Sequence, residues 1–300
     1  MSKFGGNNMK HKSGFVNIIG NPNAGKSTLM NALVGDQLSI ITPKAQTTRH
    51  RIIGILNDEN YQIVFSDTPG LVNPHYKLQE SMMAGVRSAL HDADVFILLS
   101  DLGEDFKNQE IIEKIQKSGV PIILLLNKID LSNQEEIANK IEEWKQKLPE
   151  AQILPVSALH KFNIDAVVAM ILEHLPDAPP YYPKDEVSDR NLRFFVSEII
   201  REKILLYYQK EIPYSVEIVV DSYDEGKDID KIRALIFVER ESQKAIIIGN
   251  KGSALKKVGK EARKQMEKFL GKQVYLELFV KVMKDWRDNE KILKRFGYEL

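Results

Sequence analysis

Residues Gly20 to Thr28, GNPNAGKST, end the apolar run GFVNIIG and lead into LMNALVG. The spacing Gly20-x-x-x-x-Gly25-Lys26-Ser27 is that of a phosphate cradle. Its small residues, with Asn21, Pro22, Asn23 and Ala24 between the glycines, let backbone N–H groups turn inward onto an anion. Lys26 adds a point charge, and the Ser27 hydroxyl can bind Mg²⁺, with Thr28 beside it. A helix starting at Lys26 aims its positive dipole end at the phosphates. A strand-to-helix turn could use the same glycines, so the reading depends on whether the rest of a nucleotide site follows.

Three further stretches supply it. DTPG, Asp67 to Gly70, places a carboxylate where it can hold Mg²⁺ through water and a Gly70 N–H where it can sense a terminal phosphate, with Thr68 and Pro69 in the turn. Alone, DTPG is a good turn sequence. NKID, Asn127 to Asp130, follows the apolar run PIILLL. The Asp130 carboxylate can accept from N1–H and the exocyclic amine of guanine, donors that adenine lacks on that edge, so adenine would leave polar groups unpaired. Asn127 can brace the loop and meet the base, and Lys128 can lie along the ring face. Asn-Lys-x-Asp could instead cap a helix starting near Ser132. SAL, Ser157 to Leu159, closes the next strand, and a backbone N–H at Ser157, Ala158 or Leu159 can meet the guanine carbonyl.

These motifs need a scaffold that delivers them to one rim. Between residues 15 and 175, FVNIIG, RIIGIL, YQIVFSD, DVFILLS, PIILLLN and QILPVSA read as strands, and the regions around Lys26, Gln79, Gln109, Gln134 and Asn163 as helices. Runs apolar on both faces predict an α/β fold with a mostly parallel sheet covered by helices on both sides. Ligands of such sheets sit at the carboxyl ends of the strands, where the motifs fall.

The chain has 300 residues, 43% hydrophobic and 28% charged, enough for about two domains of ordinary globular composition. It contains no cysteine, which excludes disulfides and thiolate metal sites, and its six histidines have no metal-ligand spacing. No apolar run approaches the roughly 20 residues of a membrane span. The polar start, residues 1–13, reads as a disordered lead without a signal-like apolar core, and a cytoplasmic protein is expected. The net charge of zero hides an asymmetry: 17 basic against 21 acidic residues up to position 180, and 25 against 21 after it.

Near that cut lies LPDAPPYYPKDEVSD, residues 175 to 189, whose prolines and charges predict a semi-rigid linker. Beyond it an amphipathic helix is expected from Asn191 to Tyr208, then strands in YSVEIVVDSY and IRALIFVER. Two helical segments joined by Gly249-Asn250-Lys251-Gly252 come next, and a strand in QVYLELFVKV follows. Such a Gly-x-x-Gly loop lets a nucleic-acid backbone approach closely, as in KH modules, where it clamps about four nucleotides. From Lys244 to Lys272 there are nine Lys/Arg and two Glu. Ile248, Gly249, Asn250, Lys251 and Gly252, with Lys256, Lys257, Lys260, Arg263 and Lys264, are the candidate RNA-binding residues. ALKKVGKEARKQMEKFL is also amphipathic and cationic, so a membrane surface is an alternative partner.

The ordered series GNPNAGKS, QTTR, DTPG, NKID and SAL resembles a translation-factor-class GTPase of the branch containing Era, EngA and TrmE. With a proline-rich linker and a KH-like second half, the chain from about Gly14 to Trp286 is similar to the Era family. The resemblance implies a P-loop GTPase domain over 14–175, a linker over 176–190 and a type II α+β KH-like domain over 191–300. It implies GTP and GDP with Mg²⁺ as ligands, and ribosome assembly on small-subunit ribosomal RNA near its 3′ end. A monomer with peripheral contact at the inner face of the cell membrane is the accompanying expectation. Thr48, the second threonine of QTTR, matches the switch threonine that completes the Mg²⁺ shell with Ser27 and Asp67, and Lys26, Thr48 and Gly70 form the catalytic set. Asn23 matches a position used for K⁺, although Ala24 stands where valine is common. Leu71 stands where Ras-like enzymes carry a water-orienting glutamine, so slow intrinsic turnover is expected. A nucleotide-gated structural protein with little hydrolysis is the other reading.

Overall fold

The computed structural model describes residues 11–103, 106 and 108–298. They form two compact units: residues 11–38, Arg51–Val72 and Val86–Asp189 in the first, and Ser39–His50, Asn73–Gly85 and 190–298 in the second. Sequence spacing alone puts positions 39–50 and 73–85 inside the stretch 14–175; by their contacts they belong with the C-terminal residues.

In the first unit β1 (Lys12–Gly20) runs into α1 (Lys26–Val34), and β2 (Ile52–Asn57) and β3 (Tyr61–Asp67) follow. Then come α2 (Lys77–Ala89), whose residues 77–85 group with the second unit, β4 (Val95–Asp101), α3 (Gln109–Lys117), β5 (Ile122–Asn127), α4 (Gln134–Lys147), β6 (Gln152–Pro155) and α5 (Ile164–His174). The sheet order is β2-β3-β1-β4-β5-β6, with only β2 antiparallel to its neighbour. Every residue of β5 is buried, which is why that strand is apolar on both faces. The Asn108 and Asn133 side chains accept from the Ile111 and Glu136 N–H groups and so fix where α3 and α4 start.

β1 starts at Lys12; positions 1–10, most of the expected lead over 1–13, lie outside the described residues. The Lys12 N–H donates to Asn60 O, and Lys12 bridges to Asp177. The proline-rich stretch is held by hydrogen bonds as well. Gln62 accepts from the Tyr181 and Tyr182 N–H groups, the Ile55 N–H donates to Val187 O, and the Ser188 hydroxyl donates to Ile53 O. Residues 177–188 therefore run along the outer strands of this unit.

The second unit contains α6 (Leu192–Tyr207), β7 (Glu217–Asp224), β8 (Ile229–Val238), α7 (Glu241–Ile248), α8 (Ser253–Leu270), β9 (Gln273–Val282) and α9 (Glu290–Arg295). β8 is central, antiparallel to β7 and parallel to β9. Val196, Ile200 and Ile204 of α6 and Val258, Ala262 and Met266 of α8 share a core with Ile232, Ala234 and Ile236 of β8. The spacing of three and four along both helices lays those apolar stripes on the sheet and leaves the lysines of α8 outside. Trp286, wholly buried, donates its indole N–H to Ser215 O at 3.2 Å.

Candidate functional site

The parallel register brings the motifs of the first unit to one rim. Ile18 pairs with Asp67, Gly20 with Leu99, Asp101 with Asn127 and Leu126 with Pro155, so the chain leaves β1, β3, β5 and β6 at the same end of the sheet. Gly25 precedes α1 at φ 100°, and a Cβ there would meet Asn127 Nδ2 at 2.3 Å, so both conformation and space require glycine. Asn127 is 3% exposed and bonds in two directions: its amide donates to Ala24 O at 2.8 Å and its oxygen accepts from the Ala158 N–H at 3.0 Å. One side chain thus joins the cradle, the NKID loop and the SAL turn.

Lys26 is buried and donates to Gly20 O at 3.1 Å and Asn21 O at 2.9 Å. Burial pulls its ammonium down from 10.5 to about 8, with the Asp67 charge acting in the opposite direction. An anion in the cradle would restore the charge, so the triphosphate complex holds a proton that the free protein releases near pH 8. Triphosphate affinity is therefore expected to be level below about pH 8 and to fall by about tenfold per unit just above it. Isothermal titration across pH 7 to 9 in buffers of different ionisation enthalpy checks this, and a flat profile without proton uptake refutes it.

The Ser27 hydroxyl donates to Asp67 Oδ2 at 2.7 Å, and Asp67 is fully buried. A hydroxyl and a carboxylate in contact at the mouth of an anion cradle are the hard oxygen donors that suit Mg²⁺. Gly70 backs onto Pro22: a Cβ there would lie 2.8 Å from Pro22 Cα. The Thr68 hydroxyl points away from the rim and donates to Ile18 O at 2.8 Å, so only its backbone is available to a ligand. Leu71 is 2% exposed and its N–H donates to Gly20 O; its side chain belongs to the core.

At the base-reading end the Ser157 hydroxyl donates to Asp130 Oδ1 at 2.5 Å, and Lys128 Nζ lies 3.1 Å from Asp101 Oδ2. Sequence reasoning assigned Ser157 a backbone role and missed both its hold on Asp130 and the part of Asp101. Asp101 could have been found as the last residue of a buried strand in register with Asn127. Leu159 is 72% exposed. Thr48 is 7% exposed and lies in the segment that groups with the second unit, and the Thr47 hydroxyl beside it donates to Lys44 O at 2.6 Å.

In the second unit Gly249 has φ 70° and ψ 179°, Lys251 φ 50° and Gly252 φ 77°. A Cβ on Gly249 would lie 2.6 Å from Ala254 Cβ. The turn exposes Asn250 and Lys251, while Ile248 is half-buried. Lys256, Lys257, Lys260, Arg263 and Lys264 are exposed along α8. Lys257 stacks its ammonium 4.3 Å from the Tyr207 ring centre, and Arg263 and Lys264 pair with Glu267 and Glu261. Tyr207 and the half-exposed Ile246 beside the loop were not read from the sequence.

A glycine cradle with a buried lysine, a Mg²⁺-type oxygen pair and a carboxylate poised for guanine, on a mostly parallel sheet, define a P-loop GTPase unit, and the second unit has the KH element order. The family model described as "50S ribosome-binding GTPase" matches residues 15–128, and that described as "KH domain" matches residues 211–287. Era from Aquifex aeolicus, in a crystal structure of a variant bound to GDP and AlF4⁻, is 40% identical over 96% of this chain and 100% of its own, with a TM-score of 0.92. Era in complex with MgGDPNP and nucleotides 1506–1542 of 16S ribosomal RNA is 40% identical over 97% of this chain and 100% of its own, also with a TM-score of 0.92. The chain belongs to the Era family of GTPases.

Proposed function

We propose that this protein binds and hydrolyses GTP on its first unit and binds small-subunit ribosomal RNA, near the 3′ end, through its KH domain, as a ribosome-assembly factor. The observation that carries the enzymatic half is the Asn127 brace, which fixes the phosphate cradle and the guanine-reading loop to each other. The RNA half rests on the exposed GNKG turn and its lysine-lined helix, and on the relative bound to 16S RNA. We assign the GTPase domain to 14–175, the linker to 176–190 and the KH-like domain to 191–300. Both ligands are intracellular, which supports a cytoplasmic location, and among the described residues no helix is long and apolar enough to cross a membrane.

Phosphoryl transfer to water is mostly positioning and charge stabilisation. The cradle amides and Lys26 hold the developing negative charge, and Gly70 offers its N–H to the terminal phosphate. Ser27, Thr48 and Asp67 are the residues that would hold Mg²⁺, which supplies charge neutralisation at the phosphate oxygens when bound. Asp130, steadied by Ser157, selects the base. With Leu71 in the core and no glutamine at that position, intrinsic turnover is slow.

Changing Asn250→Asp and Lys251→Asp together tests the assignment of the two activities. Both side chains are exposed and both glycines are kept, so the fold should persist. RNA affinity should fall by at least about tenfold, with a log affinity against log salt slope shallower by about one. Single-turnover GTP hydrolysis should stay within about twofold, the effect of a surface change away from the site. Unchanged RNA affinity and slope would reduce the loop to a turn, and absent hydrolysis in the unsubstituted protein would overturn the enzymatic assignment.

A further inference from the structure

Lys128, which the motif reading lays along the guanine ring, has a left-handed backbone, φ 64° and ψ 32°. That region is unfavourable for an L side chain and persists only where the surroundings enforce it. The backbone on either side is tied down: the Leu131 N–H donates to Lys128 O at 3.0 Å, and the Ile129 N–H to Val156 O at 3.4 Å. The side chain is held as well. Its ammonium donates to Oδ2 of Asp101, the last residue of β4, at 3.1 Å. Asp101 is in register with Asn127, the residue before Lys128, so two neighbouring parallel strands deliver the carboxylate to the start of the NKID loop. Its other oxygen, Oδ1, accepts from the Gly103 N–H at 3.3 Å, which orients the carboxyl group. The Lys128 and Asp101 side chains are 35% and 22% exposed, so the pair is only partly open to water.

We propose that Asp101 is a positioning residue for nucleotide binding: it fixes the Lys128 side chain before the base arrives, so that the lysine stem offers a ready face to the purine ring. This deepens the guanine-site reading and rests on Lys128 lying along the ring. A lysine stem is a flexible four-carbon chain, and ordering it during binding would reduce affinity. With the ammonium already on Asp101, much of that ordering is complete in the free protein. The anchor depends on charge, since asparagine would keep the shape of Asp101 but not the ion pair. It is also blind to the edge of the base. Asp130 reads that edge, whereas a stem along the ring face meets any purine, so Asp101 sets how tightly the nucleotide is held and leaves the choice of base to Asp130.

The test uses the full chain with Asp101→Asn and Lys128→Ala, singly and together. Asp101→Asn should weaken GDP and GTP by about three- to tenfold, the range expected from freeing one long side chain, chiefly through faster release. Its kcat at saturating GTP should stay within about twofold, because the cradle and Gly70 are untouched. Inosine diphosphate, which lacks the exocyclic amine but keeps the ring, should weaken by the same factor as GDP. With Lys128 already alanine, Asp101→Asn should cost nothing further, and Asp101→Glu, which keeps the charge, should recover most of the affinity. Unaltered affinity in Asp101→Asn would overturn the proposal, as would a loss of the same size in the Lys128→Ala background. Nitrogen-15 relaxation of the lysine ammonium groups in the unsubstituted protein gives an answer that no folding defect can confuse. The Lys128 ammonium should be ordered both without nucleotide and with GDP, and one that becomes ordered only with GDP would overturn it. Normal GDP affinity in Lys128→Ala refutes the ring-face role of Lys128, whereas weakened affinity there with an unaffected Asp101→Asn protein refutes only the anchor.

Discussion

Replacing Lys26 with alanine is expected to cut GTP hydrolysis by about a thousandfold, at the upper end of what removing one charge-stabilising donor costs. The side chain is buried at the mouth of the cradle between Gly20 O and Asn21 O, and alanine there removes its positive charge from the phosphates. The fold should survive, because the lysine's present partners are two backbone carbonyls, Gly20 O at the end of β1 and Asn21 O just after it, and alanine suits the first turn of α1. Single-turnover hydrolysis together with a thermal melt makes the measurement: normal turnover with a normal melt would leave GNPNAGKST as nothing more than a turn.

Asp130→Asn is expected to exchange the preferred base. The carboxylate now accepts from Ser157 and leaves acceptor capacity for N1–H and the exocyclic amine of guanine. An amide in its place sets an N–H₂ against that amine but can donate to the C2 carbonyl of xanthine, and the Ser157 hydroxyl can reorient to suit either end. GTP affinity should fall by about a hundredfold or more, and xanthosine triphosphate should become the better ligand, because an unpaired buried polar group costs far more than a missing contact. Competition of the two nucleotides against a fluorescent GDP analogue decides it; equal affinity in the variant would refute the assignment of Asp130.

The sequence reading reached the sheet of the first unit and the order of its motifs because its strands are short apolar runs, three of which, β1, β3 and β5, end in the glycine, aspartate or asparagine of a motif. It reached the second unit's helices and strands for the same reason of periodicity. It did not reach α9 or the single turn at Trp286, which are too short to show a period and are held by long-range packing: Trp286 by Ser215 O, and Phe296 by the Trp286 ring. Within the site, residue types were legible and pairings were not. Asn127 meets Ala24 across 103 positions, and Ser157 meets Asp130 across 27. Such meetings depend on strand register, which local spacing does not encode. The burial of Arg49 was invisible for a related reason: an arginine in QTTR reads as exposed, and only the fold supplies its acceptors, Val216 O, Pro213 O and Tyr214 O.

The strip from Asp177 to Ser188 has a consequence for handling the protein in pieces. β2 is the outermost strand of a six-stranded sheet, and unpaired backbone N–H and C=O groups on such a border recruit other chains. Val187 O on the Ile55 N–H and the Ser188 hydroxyl on Ile53 O occupy part of that border, while Pro179, Pro180 and Pro183 keep the strip itself from growing into a seventh strand. A GTPase fragment ended at residue 175, where the helical pattern stops, would lose this selvedge and tend to clump through β2. One ended at residue 189 would carry its own hem and stay dispersed.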